Sequence, residues 1–506
     1  MSFAARRIPG AALAACVSYA LISAAAAQQP ASTLIRGVAI IDGSGSPARV
    51  GDVRIVGDRI IEFGQITSTS ADVVIEARGF SLAPGFIDSH SHHDHGMESA
   101  RDALPMVSQG VTTIVVGQDG AGRGLDSLFR RLDAQPAAVN IASYAGHGCI
   151  RAAVLGNDFR RAAIADEIDR MKALLRDEMN AGALGLSTGL EYDPGIYSTP
   201  DEVLALARVA FAMGGRYISH IRSEDRDLWK AIDEVITIGR VTGIPVQVSH
   251  IKLSMSDLWG QANRVIRVLD MARASGVQIT ADVYPYTHWQ SNLGVFYPAR
   301  NFADRAETEF VLSHLTPADE IIFSDGFPGH SEYAGKTLVQ IARMRMASTV
   351  QTMMDLLAEN GGPDATIVAK GMSDVDVEML IRWPFANVGS DGFSTGAHPR
   401  GWGSFARVLG PFVRVKRLFS LEEAVRKMSG LTASTLGLTN RGLIKPGYFA
   451  DLVLFDQETV SDRSTFEMPQ AQAVGVWTVW VNGQIVFDRG ITTGRYPGRP
   501  LRRERR

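Results

Sequence analysis

The sequence predicts an α/β protein, a (β/α)8 TIM-like barrel joined to a small composite β-sandwich domain formed by both termini. Two observations lead to this prediction. Eight short apolar runs alternate with helical patterns through the middle of the chain, and segments that alternate apolar and polar residues lie towards each end. The chain has 506 residues, and α/β barrels exceed the usual domain size as single units.

The β-sandwich domain is predicted from residues 33–84 and 442–490. Near the N-terminus the alternating runs read TLIRGVAIID, VRIVGDRIIEFG and VVIEARG, with Gly, Asp and Pro between them. The C-terminal part repeats the pattern in ADLVLFD and in VWTVWVNGQIVFDRG, whose Asn-Gly pair is a hairpin signal. Because the two sets flank a long middle region, we expect them to form one domain.

The barrel is predicted over residues 85–441. Its strands are expected at residues 86–88, 111–116, 139–144, 183–187, 216–219, 245–249, 277–283 and 386–390. Helical patterns lie between most of them, as at 166–182 and 226–243. The gap between the seventh and eighth strands is too long for one helix, so we predict an insertion, interpreted as a lid, at about 289–348.

Residues 1–27 are typical of an export signal. Arg6 and Arg7 supply the positive start, an Ala-rich apolar stretch follows, and a cut after Ala27 fits the small-residue rule. A lipoprotein box ending in Cys16 and a twin-arginine signal are the alternatives, but the apolar run continues past Cys16, which favours ordinary cleavage. We therefore expect a periplasmic protein with no stable membrane span in its mature form.

The composition excludes some partners. The net charge is −3, which argues against binding to nucleic acid. The basic run at 502–506 is typical of a solvated tail. Once Cys16 leaves with the signal, Cys149 is the one remaining cysteine, so we expect no intramolecular disulfide and a buried bystander role for Cys149.

Polar residues follow each predicted barrel strand, where the active sites of such barrels lie. In strand order they are His90 with His92, Asp119, His147, Glu191, His220, His250, Tyr284 and Asp391. His90 and His92 are two residues apart and therefore point together into the barrel mouth. His220 and His250 end neighbouring strands. Four imidazoles and the carboxylate of Asp391 suit zinc or a similar divalent ion.

The segment DSHSHHDH at 88–95 contains more donors than these two histidines. Strand parity or the strand's end places His93 and His95 outside the site, and Asp94 shares the parity of His90 but falls towards the loop. Ordinary loop or helix roles are predicted for four other histidines: His147, His288, His314 and His330. His398 lies in a Gly-rich loop after strand eight and is open between the two interpretations.

Several segments together resemble the amidohydrolase superfamily and, more closely, its D-aminoacylase (N-acyl-D-amino-acid deacylase) family. They are APGFIDSHSH, the two strand-end histidines, GSDG, HPR followed by WGSF, LEEAVRKMSG and GLIKPGYFADLVLFD. QGVTT, GALGLSTGLEYDPG and SHIK are specific to that branch. The resemblance runs from about residue 33 to 490, nearly the whole expected mature chain.

The resemblance implies a role for each matching residue. It implies metal ligation by His90, His92, His220, His250 and Asp391, with Asp391 also the general base. It further implies that the substrate carboxylate is bound by Lys252, Tyr284 and Arg400, with Tyr286 as the alternative to Tyr284.

One position departs from the family pattern. D-aminoacylases usually place a cysteine ligand after strand two, and this chain has Asp119 there. A carboxylate can ligate or bridge metals, but it is a harder ligand and changes metal preference. Glu191 is the rival bridging group. No lysine ends strand four, which argues against a carboxylated-lysine bridge.

The predicted function is metal-dependent hydrolysis of the amide bond of an N-acyl amino acid, D by the resemblance, or of a related small amide or dipeptide. The products are a carboxylic acid and an amino acid, and the cofactor is one or two divalent ions, with Zn²⁺ expected. The alternatives are a cyclic-amide hydrolase or deaminase of the same superfamily, and a non-catalytic periplasmic binding protein. The acyl group, the amino-acid side chain and the oligomeric state stay open.

Overall fold

The structure of the protein is a computed structural model that describes residues 32–504. The predicted signal at 1–27, with Cys16, lies outside the described residues. Between residues 32 and 504, the helices are all too short or too polar to cross a bilayer.

The strands of the described chain form one large terminal sheet, a barrel and a small inserted sheet. In chain order they are β1 (Ser32–Ile40), β2 (Arg49–Val56), β3 (Arg59–Gly64), β4 (Asp72–Glu76), β5 (Ser81–Pro84), β6 (Phe86–Asp88), β7 (Val111–Val116), β8 (Asn140–Ser143), β9 (Ala145–Gly146), β10 (Gly185–Gly189), β11 (Arg216–His220), β12 (Val246–Val248), β13 (Ile279–Val283), β14 (His288–Asn292), β15 (Ile321–Phe323), β16 (Lys336–Thr337), β17 (Thr366–Lys370), β18 (Ala386–Val388), β19 (Leu452–Phe455), β20 (Val476–Val481), β21 (Gln484–Asp488), β22 (Ile491–Thr492) and β23 (Pro500–Leu501).

The helices lie mainly between the barrel strands. They are α1 (Leu104–Val107), α2 (Leu125–Ala134), α3 (His147–Leu155), α4 (Ala165–Ala181), α5 (Pro200–Ala212), α6 (Leu228–Thr242), α7 (Ala262–Ala274), α8 (Arg305–Phe310), α9 (Leu338–Arg345), α10 (Thr349–Ala358), α11 (Asp374–Arg382), α12 (Arg400–Arg407), α13 (Leu421–Met428) and α14 (Gly430–Leu436). Their starts follow local chemistry: at α5 the Thr199 side chain accepts a hydrogen bond from Glu202 N, and Pro200 occupies the first helical position.

Both ends of the chain build the terminal sheet, as the alternating runs predict. Its strands follow the order β22-β21-β20-β19-β5-β1-β2-β3, with β4 paired to β1. Strand parity divides the sheet between two cores. Leu452 and Leu454 face a core inside this domain, whereas Val453 between them packs against the barrel core. The sheet therefore covers its own interior with one face and holds the barrel with the other.

The eight predicted barrel strands are present as β6, β7, β8 with β9, β10, β11, β12, β13 and β18. Strands β6, β7 and β8 pair in parallel in that order, and so do β9, β10, β11, β12, β13 and β18. Tyr144 separates β8 from β9, the two halves of the third barrel strand. The first and eighth strands meet at a bridge between Ser91 and Gly392, with Asp391 N donating to His90 O at 2.8 Å. Strands such as VTTIVV are buried throughout, because helices cover the outside of a parallel sheet.

The insertion between the seventh and eighth strands is a small α+β unit with its own sheet, in the order β14-β17-β15-β16. Its apolar core is separate from that of the barrel and extends from Leu293 to Ala369. The range of about 289–348 predicted from the sequence is too short. The strand at 366–370 is central in this sheet, where it pairs with β14 and β15, so the unit cannot end before it.

The C-terminal end differs from the solvated tail predicted for the run at 502–506. Strand β23 pairs in parallel with β8, opposite Ile141 and Ala142. Beyond it, Arg503 N donates to Gly182 O at 2.9 Å, and Arg502 pairs with Asp133 at 2.8 Å. These backbone bonds hold the segment up to Arg503 against the barrel, and the Arg503 side chain also donates to Ala183 O and Met179 O, at 3.2 and 3.1 Å.

Candidate metal centre

Three residues at the carboxyl ends of barrel strands have left-handed backbone conformations. They are Asp119 (φ 54°), His250 (φ 32°) and Asp391 (φ 48°). Asp and His tolerate this region better than most residues, and strained positions of this kind cluster at functional sites. The turn ends each strand abruptly and directs the side chain across the barrel mouth.

A buried carboxylate fixes the seam between the first and eighth strands. Asp88 accepts hydrogen bonds from Ser390 N at 2.8 Å, from Ser390 Oγ at 2.5 Å and from His90 N at 3.3 Å. Burial raises the pKa of Asp88 to about 6. This one side chain therefore sets the spacing between the HxH pair and Asp391.

The first group of candidate ligands joins strands one, two and eight. His92 Nε2 lies 3.2 Å from Asp119 Oδ2 and 3.2 Å from Asp391 Oδ1, and His90 Nε2 lies 3.4 Å and 3.6 Å from the same two oxygens. His90, His92, Asp119 and Asp391 each present one donor atom, and these atoms lie within 4.8 Å of one another.

The second group shares Asp119 with the first. The other oxygen of Asp119, Oδ1, lies 3.4 Å from His250 Nε2, and His220 Nδ1 lies 3.1 Å from that same nitrogen. Asp119 thus stands between the two histidine pairs, with one oxygen towards each. This is the arrangement that a ligand bridging two ions requires.

Further carboxylates hold the outward nitrogens of three imidazoles. Glu191 bonds His220 Nε2 at 3.0 Å, and Glu224 lies 3.0 Å from His250 Nδ1. Asp282 lies 3.4 Å from His90 Nδ1 and accepts from His250 N at 2.6 Å. Such contacts fix the ring orientation and the tautomer of a metal-binding histidine. Because the second oxygen of Glu191 accepts from Glu224 N at 2.7 Å, both of its oxygens are engaged.

The electrostatics of the cluster follow from its opposed charges. Burial lowers the pKa of His92, but hydrogen bonds to Asp119 and Asp391 outweigh it and raise that pKa to about 9. Burial acts to raise the pKa values of Asp119 and Asp391, yet nearby cations hold both well below their usual range. Against the effect of burial, the carboxylates likewise hold the pKa values of His90 and His250 above the usual range, so without an ion these imidazoles favour the protonated form.

The donor set fits a divalent cation. Asp119 Oδ1 is buried and accepts no hydrogen bond from any residue between 32 and 504. Four imidazoles and two carboxylates converge from five strand ends, and zinc takes nitrogen and carboxylate oxygen ligands of these kinds. A positive ion between the facing donors would satisfy them in place of the protons.

A group of cationic and phenolic side chains lies beside the cluster. Arg400 Nη1 pairs with Asp391 Oδ2 at 2.6 Å, and its guanidinium lies 4.8 Å from the centre of the Tyr284 ring. Lys252 Nζ lies 5.8 Å from the same ring and donates to both oxygens of Glu224, at 2.7 and 2.8 Å. The hydroxyl of Tyr284 is buried and has no partner among the described residues. The structure thus gathers all three predicted carboxylate-binding residues.

Tyr286, the alternative to Tyr284, faces elsewhere. Its ring lies against the guanidinium of Arg407, 4.7 Å away, and edge-on to His398. His398 itself is buried, accepts from Arg400 N at 3.0 Å and donates to His288 O at 2.9 Å. It therefore positions the start of α12, outside the ligand group.

The remaining histidines and the cysteine do not reach the cluster. His93 is buried and bonds Ser394 Oγ at 3.0 Å. His95 lies 5.8 Å from the ring of Phe393. Four others have carboxylate partners elsewhere: His147 with Glu202, His288 with Glu320, His314 with Asp257 and His330 with Glu332. Cys149 is half-buried in α3 and belongs to none of the ligand groups found in the described chain. It is less buried than the sequence predicts.

Two carboxylates that contact imidazoles of the candidate site are absent from the sequence-based prediction. Asp282 shares strand parity with Tyr284, two residues later, so the period of two could have identified it. Glu224 lies four residues beyond His220 in an irregular loop, and no periodic signal marks it. Its contacts with His250 and Lys252 arise from the folded arrangement of two neighbouring strand ends.

A cavity of about 580 Å³ opens from this cluster. His220, His250, Lys252 and Asp391 line its inner end. The inserted unit contributes much of the opposite wall through residues between 289 and 298, including Trp289 and Phe296. A volume of this size suits a small organic substrate.

A parallel barrel that gathers imidazoles and carboxylates at the carboxyl ends of its strands, beside a cavity of this size, defines the class of metal-dependent barrel hydrolases. The model of the amidohydrolase family matches residues 73–487. The chain is 36% identical to the D-aminoacylase of Alcaligenes xylosoxydans xylosoxydans, over 94% of this chain and 98% of that one. It therefore belongs to the amidohydrolase family, and within it to the D-aminoacylase family.

Two further relatives show how this family divides. The chain is 35% identical to an N-acyl-D-aspartate deacylase of the same organism, over 93% of this chain and 95% of that one. It also resembles a crystal structure of N-acyl-D-glutamate deacylase from Bordetella bronchiseptica, complexed with zinc and a phosphonate mimic of the tetrahedral intermediate. That similarity has a TM-score of 0.84 at 34% identity and covers 94% of this chain and all of that one.

Proposed function

We propose that the protein hydrolyses the amide bond of N-acyl-D-amino acids and releases a carboxylic acid and a free amino acid. The observation that carries this proposal is the contact between the candidate metal cluster and the carboxylate-binding group, where Arg400 touches Asp391 at 2.6 Å. The scissile amide of an N-acyl amino acid lies one carbon from its α-carboxylate, so both must be held close together. The D configuration is supported by the relatives, all three of which are named for D-amino-acid substrates or products.

We assign the metal site to the two ligand groups described above. His90, His92 and Asp391 would hold one ion, His220 and His250 a second, and Asp119 would bridge them, in the position where the family usually has cysteine. Glu191 acts through His220, because both of its oxygens are already engaged by His220 and the backbone. A zinc ion held by these residues would supply a Lewis acid that makes water more acidic and polarises a carbonyl.

Asp391 serves as the general base and then as the general acid. Its lowered pKa keeps it ionised, so it can accept a proton from the attacking water and later deliver it to the leaving nitrogen. Its partner Arg400 also binds the substrate carboxylate. When substrate arrives, one guanidinium is shared between two anions, and the basicity of Asp391 rises as its own ion pair weakens.

Lys252, Tyr284 and Arg400 bind the α-carboxylate. The hydroxyl of Tyr284, which has no partner within residues 32–504, is available to donate, and Arg400 offers a planar fork that suits a carboxylate. Lys252 remains with Glu224, which keeps its ammonium charged: burial acts to lower the pKa of Lys252, and Glu224 raises it. Three donors fix which face of the amide meets the metal.

The carboxylate contact can be tested by comparing N-acetyl-D-leucine with N-acetyl-D-leucinamide, which lacks the charge. We expect the wild-type protein to prefer the acid in kcat/KM by about 100-fold, and Arg400→Ala to reduce that preference at least about tenfold, since a buried charge pair is worth about 2–5 kcal/mol. The measurement is the ratio of kcat/KM for the two substrates in each protein.

Arg407→Ala is the control, because Arg407 lies on the same helix but pairs with Asp462, away from the cluster. Its preference for the acid should match that of the wild type. An unchanged preference in Arg400→Ala would favour a cyclic-amide hydrolase or deaminase, which needs no carboxylate contact.

For localisation, we propose that residues 1–27 direct export and are cleaved after Ala27. The positive start, the apolar stretch and the small residues before Gln28 support this. The mature N-terminus of protein recovered from the periplasmic fraction should therefore be Gln28. An unprocessed protein found with the cytoplasmic fraction would contradict it, and a lipid-modified Cys16 would establish the alternative.

A further inference from the structure

The relatives differ in the side chain of the amino acid they release, and overall identity does not separate them. The D-aminoacylase and the N-acyl-D-aspartate deacylase are 36% and 35% identical to this chain. Recognition of an acidic side chain needs an available cation in the wall of the substrate cavity. The charges along that wall therefore decide which class of substrate fits.

Beyond the residues of the metal cluster and the carboxylate site, three cations line the cavity within the described chain. They are Arg222, Arg226 and Lys230. Five carboxylates line the same wall: Asp201, Asp225, Asp227, Asp233 and Glu234. The wall thus carries more negative than positive charge, which opposes the entry of a further anion.

All three guanidinium nitrogens of Arg222 have partners in the protein itself. Its Nε and Nη2 atoms form a two-point contact with Glu234, both at 2.9 Å, and Nη1 donates to Ser198 O at 3.0 Å. Glu234 is a member of α6 and fixes the guanidinium from behind. A two-point contact of this kind is among the strongest that arginine forms, so a substrate carboxylate would have to displace it.

Arg226 is engaged in the same way by the inserted unit. It makes a two-point contact with Glu307 in α8, at 2.8 and 3.1 Å, and its guanidinium stacks 4.3 Å from the ring of Phe310. Lys230, the third cation, pairs with Asp227 at 2.7 Å and its side chain is 85% exposed. Each cation of the wall has a carboxylate partner supplied by the chain.

The uncharged part of the wall is mostly apolar, with polar side chains such as Ser223 and Gln290 among it. It includes Ile196, Leu204, Val295, Phe296 and Leu315, which come from both the barrel and the inserted unit. An aliphatic or aromatic side chain placed among them loses water-exposed apolar surface, which favours binding. An acidic side chain would instead lose its hydration without gaining a free cation.

We propose that this site takes N-acyl-D-amino acids with uncharged, mainly apolar side chains and discriminates against those with acidic side chains. The inference rests on the proposed function and names the substrate class of the same site. The discrimination comes from arginines whose own glutamates neutralise them, combined with the excess of carboxylates along the wall.

The decisive comparison is N-acetyl-D-glutamine against N-acetyl-D-glutamate, which have nearly the same shape and differ in charge. We expect kcat/KM for the glutamate to be lower by about 100-fold, and N-acetyl-D-leucine and N-acetyl-D-phenylalanine to be the better substrates. Turnover of the glutamate equal to or faster than that of the glutamine overturns this inference alone. No turnover of any of the four overturns the proposed function as well.

Two variants test the cause. Glu234→Gln and Glu307→Gln remove the two-point partners of Arg222 and Arg226, while Asp225 stays 3.7 Å from Arg226 Nε. Each should raise the ratio of glutamate to glutamine kcat/KM by about tenfold. Glu378→Gln is the control, because it removes the partner of Lys416, which does not line the cavity. If the glutamate-to-glutamine ratio stayed at the wild-type value in both variants, neutralisation of the two arginines by their glutamates would be excluded as the cause of the discrimination.

Discussion

Replacement of Asp391 by Asn should leave the metal in place and remove nearly all turnover. An amide oxygen can still ligate, but it cannot accept the proton of the attacking water at neutral pH. The expected loss in kcat is about 10³-fold, within the range of general acid–base catalysis. Metal content by atomic spectroscopy and kcat on N-acetyl-D-leucine would be measured on the same preparation.

Asp94→Asn is the matched control for this prediction. Asp94 lies in the same histidine-rich segment as His90 and His92, yet it belongs to none of the ligand groups of the described chain. Its kcat should stay near that of the wild type. If Asp391→Asn kept a kcat close to the wild-type value, Asp391 would be excluded as the base and the assignment of its role would fail.

Removal of the metal with a chelator should abolish activity, and added zinc should restore it. The expected loss exceeds about 10³-fold, since the ion supplies both the activated water and the polarisation of the carbonyl. The rebinding of zinc should also release protons, because the pKa of His92 is about 9 in the protein without an ion and a ligand nitrogen must be deprotonated.

The sign of the pH dependence follows from that pKa. Below pH 9, zinc competes with a proton on His92, so the affinity for zinc should rise as pH rises towards 9 and then level off. Calorimetric titration in buffers of different ionisation enthalpy would count the protons. A chelated protein that retained its activity, or zinc binding without proton release, would contradict the assignment. His330→Gln, outside the cluster, should leave both quantities unchanged.

Much of the barrel follows from local patterns in the sequence. Runs such as VTTIVV are β-branched and wholly apolar or hydroxylic, which is typical of a strand buried on both faces. Among the helices between such runs, α5 begins at a clear signal, Thr199 followed by Pro200. The spacing of His90 and His92 determines their direction by parity alone. Each of the other candidate ligands ends a strand, and the topology of a barrel brings such ends together.

Features that depend on side-chain partners could not be predicted this way. Glu224 contacts His250 and Lys252 because an irregular loop folds back over the next strand, and the arginine pairs of the cavity wall join α6 and the inserted unit to the same loop. The C-terminal limit of the insertion could not be predicted from the sequence either. The strand at 366–370 has the same apolar character as a barrel strand, and only its antiparallel partners reveal where it belongs.

The metal site lies at the seam of the barrel, where the first and eighth strands meet, and it therefore also affects the stability of the fold. Asp88 and Ser390 are joined by hydrogen bonds although they lie 302 positions apart in the chain. Beyond them the first and eighth strands share one isolated bridge, between Ser91 and Gly392, whereas neighbouring barrel strands elsewhere pair over several residues. An ion held by His90 and His92 on one side and Asp391 on the other would cross-link the two ends of the barrel. Closing so long a loop is entropically costly, so bound ion and closed barrel stabilise each other. Heating and chelation should therefore both open the barrel at the contact between its first and eighth strands.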